Sequence, residues 1–184
     1  MRAPSPWIVR WAHLVASGGT VLDVAAGGGR NARWLAARGH RVTAIDRAAD
    51  AMAALADCAE TIAADIEAGA WPLAGRCFDA VVVTNFLWRP LFPLLRAALA
   101  PRGVLLYDTF AAGNETVGRP RRSDFLLAHG ELLAAAEGLR IVAYEDGFLT
   151  APDRFVQRLA AVRAGDDGAI ARYPLAPGPG SSEG

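Results

Sequence analysis

Short, continuously apolar runs alternate along this chain with stretches whose apolar residues recur every three or four positions. The runs "TVLDV" at 20–24, "RVTAI" at 41–45, "DAVVVT" at 79–84 and "VLLYD" at 104–108 have the pattern of strands covered on both faces. Between them, "ARWLAAR" at 32–38 reads as a helix ending at Gly39, which serves as a C-terminal cap. "PLFPLLRAALAPRG" places Leu91, Leu94, Leu95, Ala98 and Leu99 on one stripe, with Pro90 in the first turn and Pro101 and Gly103 as stops. A loop at 111–128 follows, then a helix in "GELLAAAEG". Strands come next near 139–145 and 154–163, joined by a turn containing Gly147, Pro152 and Asp153.

Strand and helix in repeated alternation imply parallel strands with right-handed crossovers, hence a doubly wound α/β fold with a mostly parallel sheet. The last two strands add a C-terminal antiparallel hairpin. With 184 residues and 53% hydrophobic positions, the chain fits one domain over 1–173. The ending "PLAPGPGSSEG", 174–184, has nothing to bury and reads as a disordered tail.

Charge adds mainly exclusions. Basic and acidic residues balance at 19 each, so no global field draws the chain to nucleic acid or an anionic membrane. Every basic residue is arginine, which removes P-loop, Schiff-base and lysine-base chemistry. Cys58 and Cys77 form neither a zinc set nor a disulfide framework, so no metal is expected. Arg10 and His13 interrupt the short apolar start, and no run approaches the roughly 18 apolar residues of a membrane span. These features point to a cytoplasmic protein.

The stretch "VLDVAAGGGRNARWLAARGHRVTAID" carries the candidate chemistry. Gly27, Gly29 and Ala32 match the dinucleotide fingerprint G-x-G-x-x-A, and Asp46 stands 19 residues after Gly27, where an acid would hold a ribose hydroxyl. Taken alone, that turn favours NAD. Its glycines only let an anion approach the backbone and the following helix, and pyrophosphate and a methionine carboxylate are both anions. Asp23, four positions before Gly27, disfavours pyrophosphate and suits the ammonium of a methionine moiety. Asp65, in "IAADIEA", stands where a carboxylate or its neighbouring backbone accepts from an adenine amino group.

With these residues in place, the chain resembles the class I S-adenosylmethionine-dependent methyltransferases over roughly 15–163. Their first motif, acid-x-Gly-x-Gly-x-Gly, stands here as "DVAAGGG", with Ala25 replacing the first glycine. The resemblance implies a seven-stranded Rossmann-like sheet and S-adenosylmethionine as cofactor. It assigns the ribose acid to Asp46 beside Arg47, and the adenine contact to Asp65 and Ile66. In "VVTNFLW", Thr84, Asn85 and Phe86 would line the reactive end, with Asn31 in the glycine-turn group. More loosely, "GRNARWLAARGHRVTAID" and "DFLLAHGEL" resemble the small bacterial branch that includes tellurite-resistance methyltransferases.

A sulfonium methyl is already activated, so alignment can suffice and a base is needed only if the acceptor must lose a proton. Candidates are Asn85, Asp108 and His129, with Tyr107 and Glu145 behind them. His129 also reads as a surface or capping group, His13 and His40 as packing and exposed residues, and Tyr107 as core. The Asn-Pro-Pro-Tyr of amino-nitrogen methyltransferases is absent, since Asn85 is followed by Phe86, Leu87 and Trp88. Arg119, Arg121 and Arg122 in the 113–127 loop, and Arg89 beside Trp88, are candidate clamps for an anionic acceptor. Trp7, Trp11 and Trp88 are expected near the pocket mouth or in a dimer contact. The expected partner is a small molecule, anionic or a thiol or chalcogen, and not a nucleic acid. The alternatives are a small NAD(P) oxidoreductase and a non-catalytic S-adenosylmethionine-binding module.

Overall fold

The computed structural model describes residues 2–165 and 171–177. Seven strands form one sheet: β1 (Thr20–Val24), β2 (Arg41–Asp46), β3 (Glu60–Ala63), β4 (Phe78–Thr84), β5 (Leu99–Phe110), β6 (Arg140–Leu149) and β7 (Arg154–Val162). Their order is β3-β2-β1-β4-β5-β7-β6. The first five run parallel, and β7 inserts antiparallel between β5 and β6. Both the doubly wound sheet and the closing hairpin therefore stand as the hydrophobic pattern predicts.

The parallel strands are buried on both faces because their alternate residues enter two different cores. Leu22, Val24, Val81, Val83, Leu105 and Tyr107 face helices α4 (Phe92–Ala97) and α5 (Glu131–Ala135). Val21, Ala80, Val82, Val104 and Leu106 face helices α1 (Pro6–Trp11), α2 (Arg30–Ala36) and α3 (Ala49–Ala53). Residues of period two thus serve two layers at once, which is why the runs read as continuously apolar.

The structure corrects several expectations. Leu99 is not on the helix stripe: α4 ends at Ala97, and Leu99 opens β5 opposite Phe78. Pro101 and Gly103 do not stop a helix; they lie in a bulge of β5, where the register slips from Phe78↔Leu99 to Ala80↔Val104 and Arg102 takes a left-handed φ of 64°. A bulge is where a strand tolerates a proline, which lacks the ladder donor. Gly147 lies within β6 opposite Val156, so the hairpin turn is formed by the residues after Leu149. Trp7 and Trp11 are 1% exposed and belong to the core, with the Trp7 indole donating to the Leu159 carbonyl at 3.0 Å. His40 is half-buried rather than exposed, and burial lowers its pKa.

The 111–128 loop is stitched down. It contains 3-10 turns at Asn114–Thr116 and Ser123–Phe125, and Leu126 and Leu127 are buried. Gln157 of β7, fully buried, accepts from the Leu132 amide at 3.0 Å and donates to the Ala128 carbonyl at 2.6 Å. In the expected tail, Pro174–Pro177 is exposed, and the Pro174 carbonyl contacts the His13 ring at 2.9 Å. The expectation for 178–184 lies outside the described residues. Among the described residues, no helix is long and apolar enough to cross a membrane, and no group of three or more His, Cys, Asp or Glu could hold a metal ion.

Replacing Gln157 by leucine would bury an amide and a carbonyl without partners, each costing about 1–3 kcal/mol. Thermal unfolding of Gln157→Leu is expected to occur roughly 5–15 °C below wild type, since about 1 kcal/mol moves a domain of this size by about 2–4 °C.

Candidate functional site

The connections run outward in opposite directions from β1 and β4, so a crevice opens at the C-terminal ends of these two strands. The glycine turn leaves β1 there. Ala25 and Gly27 have left-handed φ of 52° and 54°, and a Cβ built on Gly27 or Gly28 would meet nothing within 4 Å. Gly29 is constrained differently: at φ 72° its Cβ would lie 2.2 Å from Leu55 Cδ2, so this glycine serves close packing of α2. The first two positions leave room for a ligand; the third holds the helix in place.

Asp46, at the end of β2, accepts the Gly27 amide at 2.8 Å and the Ala48 amide at 2.9 Å. Asp65 accepts the amides of Glu67 and Ala68 at 2.9 and 3.2 Å, which fixes the loop after β3 and leaves its carboxylate exposed. Ala25, Asp46, Arg47, Asp65, Ile66 and Phe86 wall one cavity of about 220 Å³, together with Ala64, Glu67 and Phe125. Sequence reasoning missed Phe125. Its signal was a large apolar side chain set among the charges of "RRSDFLL", and in the structure it stands 40% exposed at the cavity wall.

Asp23 lies deeper in the same edge. It is 1% exposed, and neither carboxylate oxygen has a hydrogen-bond partner. Burial pushes its pKa up to about 7, a shift that the Ala32 backbone amide and the charge of Arg30 only partly offset. A buried carboxylate without a partner is costly, and this one stands beside a turn with open space. Asn31, in the first turn of α2, is 2% exposed and donates to Thr84 Oγ1 at 3.0 Å.

At the end of β4, Asn85 has a left-handed φ of 55° and is exposed, and its amide donates to the Asp108 carbonyl at 2.8 Å. Asp108 is buried on β5, 3.8 Å from Arg154 Nη2 and 3.5 Å from Arg158 Nε. Arg154 Nη1 also donates to Asn85 Oδ1 at 3.4 Å, while its Nε has no partner. Neither arginine stood out in sequence, because each occupies a polar position of an otherwise apolar strand. Glu145 pairs with Arg10 at 2.9 Å and Arg158 at 3.4 Å.

The remaining candidates fall elsewhere. His129 is 95% exposed and lies 2.7 Å from Asp146. Tyr107 donates to the Phe86 carbonyl at 3.0 Å, and burial raises its phenol far above neutrality, so it holds the β4 loop and is no base. Arg89 is spent on Glu131 at 2.5 Å and on the Asp124 and Leu126 carbonyls at 2.9 and 3.0 Å. Arg119 and Arg121 are exposed, with Arg121 donating to Gly118, and Arg122 pairs with Asp124. Trp88 lines a neighbouring groove of about 420 Å³ with Arg122, and Glu67 and Phe125 wall both groove and cavity.

Residues 21–103 match the family model of the methyltransferase domain. No curated protein matches the chain in sequence. Among solved structures, TehB from Haemophilus influenzae is 22% identical at a TM-score of 0.67; the match covers 80% of this chain and 58% of TehB. An S-adenosylmethionine-dependent methyltransferase from Methanosarcina mazei is 16% identical at a TM-score of 0.66, covering 90% of this chain and all of its own. A protein of echinomycin biosynthesis, from a study of the conversion of a disulfide bond into a thioacetal group, is 22% identical at a TM-score of 0.67, covering 89% and 84%. The chain has the Rossmann-like fold these proteins share, and its residues 21–103 are similar to the methyltransferase domain.

Because the Asp23 pKa is raised from 3.8 to about 7, the native state keeps a proton that the unfolded chain has released. Stability is therefore expected to fall by about 1.4 kcal/mol per pH unit between pH 4 and 7 from this group, and to level off above. Asp23→Asn lacks that loss. In urea unfolding it should match wild type near pH 4 and exceed it by up to about 4 kcal/mol at pH 8; equal stability at both pH values would refute the assignment.

Proposed function

We propose that this chain is a methyltransferase that transfers a methyl group from S-adenosylmethionine to a small-molecule acceptor, as a single domain over 1–173. The observation that supports the reading is Asp23, a fully buried carboxylate with no side-chain partner among the described residues and only the Ala32 backbone amide and the Arg30 charge to favour its ionised form. An ammonium is the ligand group that matches it, whereas pyrophosphate is repelled, and this weighs against a nicotinamide dinucleotide. The cofactor supplies an activated methyl on a sulfonium.

The chain's own residues then bind and orient. Asp46 holds the ribose hydroxyls beside Arg47. Asp65 and the backbone at Ile66 meet the adenine edge, between Phe86 and Phe125. Asp23 takes the ammonium, and the Gly27 to Asn31 turn receives the carboxylate. Asn85 faces the reactive end, where holding the acceptor in line near 3 Å can lower the barrier by about 7–11 kcal/mol. No base is required for an acceptor that is already anionic.

Within this reading the acceptor carries negative charge, as a thiolate, a chalcogen anion or a carboxylate. Arg154, half-buried and bonded to Asn85 through Nη1, stands nearer the reactive end than Arg89, which is engaged with Glu131, or Arg119 and Arg121 on the outer loop. The likeness to a protein tied to the conversion of a disulfide bond into a thioacetal group is the reason to include thiols among the acceptors tested.

Calorimetric titration with S-adenosylhomocysteine beside NADH tests the cofactor. Only the former is expected to bind, and Asp46→Ala should weaken it by about 1–3 kcal/mol; NADH binding instead would move the chain to the oxidoreductases. For the acceptor, a screen of thiols, carboxylates and oxyanions is run beside tRNA. Arg154→Met is expected to raise the acceptor KM by about 10-fold to 100-fold with S-adenosylhomocysteine affinity unchanged. Methylation of tRNA alone would overturn the small-molecule assignment.

A further inference from the structure

We propose that the segment Ala171–Pro174 is a proton-dependent latch, docked on His13 while the imidazole carries both of its protons and released when one is lost. The argument starts from what the ring meets. His13 Nδ1 lies 2.9 Å from the Arg10 carbonyl, and Nε2 lies 2.9 Å from the Pro174 carbonyl. A carbonyl oxygen only accepts, and a neutral imidazole has a single N–H. The neutral ring therefore satisfies one of these contacts and turns a lone pair toward the other. The imidazolium donates to both.

A second contact favours the same charged form. The Trp11 ring centroid is 5.8 Å from that of His13, within the range over which a cation is drawn to an indole face. Charge around the ring is matched by other partners. On α1, Arg10 alone would oppose a proton on the ring, but it pairs at 2.9 Å with Glu145 of β6. On β6, Arg140 lies 5.4 Å over the Tyr173 ring, and in the segment itself Arg172 is exposed. Asp79, at the start of β4, accepts the amide and hydroxyl of Thr20.

The two carbonyls are held very differently. That of Arg10 belongs to α1, whose Trp7, Ile8 and Trp11 are buried. That of Pro174 belongs to an exposed stretch whose inner anchor is Tyr173, packed against the α1 face of the core. A ring with one proton keeps the contact three residues back on its own chain and opposes the other carbonyl with a lone pair. The segment yields because it is the less anchored side. Docking takes up one proton, so the docked fraction rises as pH falls, by at most about tenfold per pH unit.

Release uncovers a place far from the crevice. Residues 171–174 wall a groove of about 480 Å³ with Leu14, Ala16, Asp79, Pro101 and Arg102, at the N-terminal ends of β1 and β4. The latch thus changes the opposite edge of the sheet and leaves the cofactor residues untouched.

The test measures backbone ¹⁵N order parameters at Ala171, Arg172, Tyr173 and Leu175 in the full chain, at about pH 5.5 and about pH 8.5, on either side of imidazole titration. Wild type is expected to fall from about 0.85 at the acid end to below about 0.6 at the alkaline end. His13→Gln, whose amide does not titrate, is expected to give equal values at both. Equal order at the two pH values in wild type, or a pH dependence that survives in His13→Gln, overturns the latch. Should the variant fail to fold, the ring ¹⁵N shifts of wild-type His13 decide: two protonated nitrogens while the segment is ordered support the latch, and one protonated nitrogen with the segment still ordered refutes it.

Discussion

The reversal of winding between β1 and β4 is the constraint on which the rest depends. Parallel strands buried on both faces need a crossover after each one, and the crossovers lead away from this pair in opposite directions. The loops that leave the two strand ends therefore diverge and leave a crevice between them. The glycine turn, the Asp65 loop, the Asn85 corner and Phe125 all border that gap. Catalytic possibility here is a by-product of topology, refined by a few polar residues placed at strand ends.

Those polar residues divide into groups with charged side chains around them and groups without. Asp108 is buried but has Ser5, Arg154 and Arg158 around it, with Glu145 and Arg10 extending the row of alternating charge. Asp23 is equally buried and has no hydrogen-bond partner among the described residues. The first arrangement orders a surface where three strands meet; the second leaves stability unrealised in a place where a cation could recover it. Two carboxylates of similar burial thus have opposite meanings, and only their neighbours separate them.

The sheet was legible because strand burial on both faces writes itself as unbroken apolar runs, as in "DAVVVT". The bulge at Ala100–Gly103 was not: a leucine stripe followed by proline and glycine is the same text whether a helix stops or a strand kinks, and the pairing with β4 decides it. At the site, Asp46, Asp65 and the glycines lie close in sequence to the strands that position them, so motif spacing could place them. Phe125 and Arg154 come near the site through a long loop and antiparallel register, and local pattern carries no trace of that. Trp7 and Trp11 misled for the complementary reason. An amphipathic helix shows which residues share a face, not whether that face meets solvent or the sheet.

The bond between Asp46 and the Gly27 amide has a consequence for molecular recognition. Each oxygen of Asp46 accepts one backbone amide and keeps a second lone pair, so a ligand hydroxyl could be accepted without breaking either bond. The two amides also hold the carboxylate in one orientation, so the acceptor is in place at no further cost in side-chain freedom. The contact between β2 and the glycine turn thus sets the shape of the crevice wall from the protein's own backbone, before any ligand arrives.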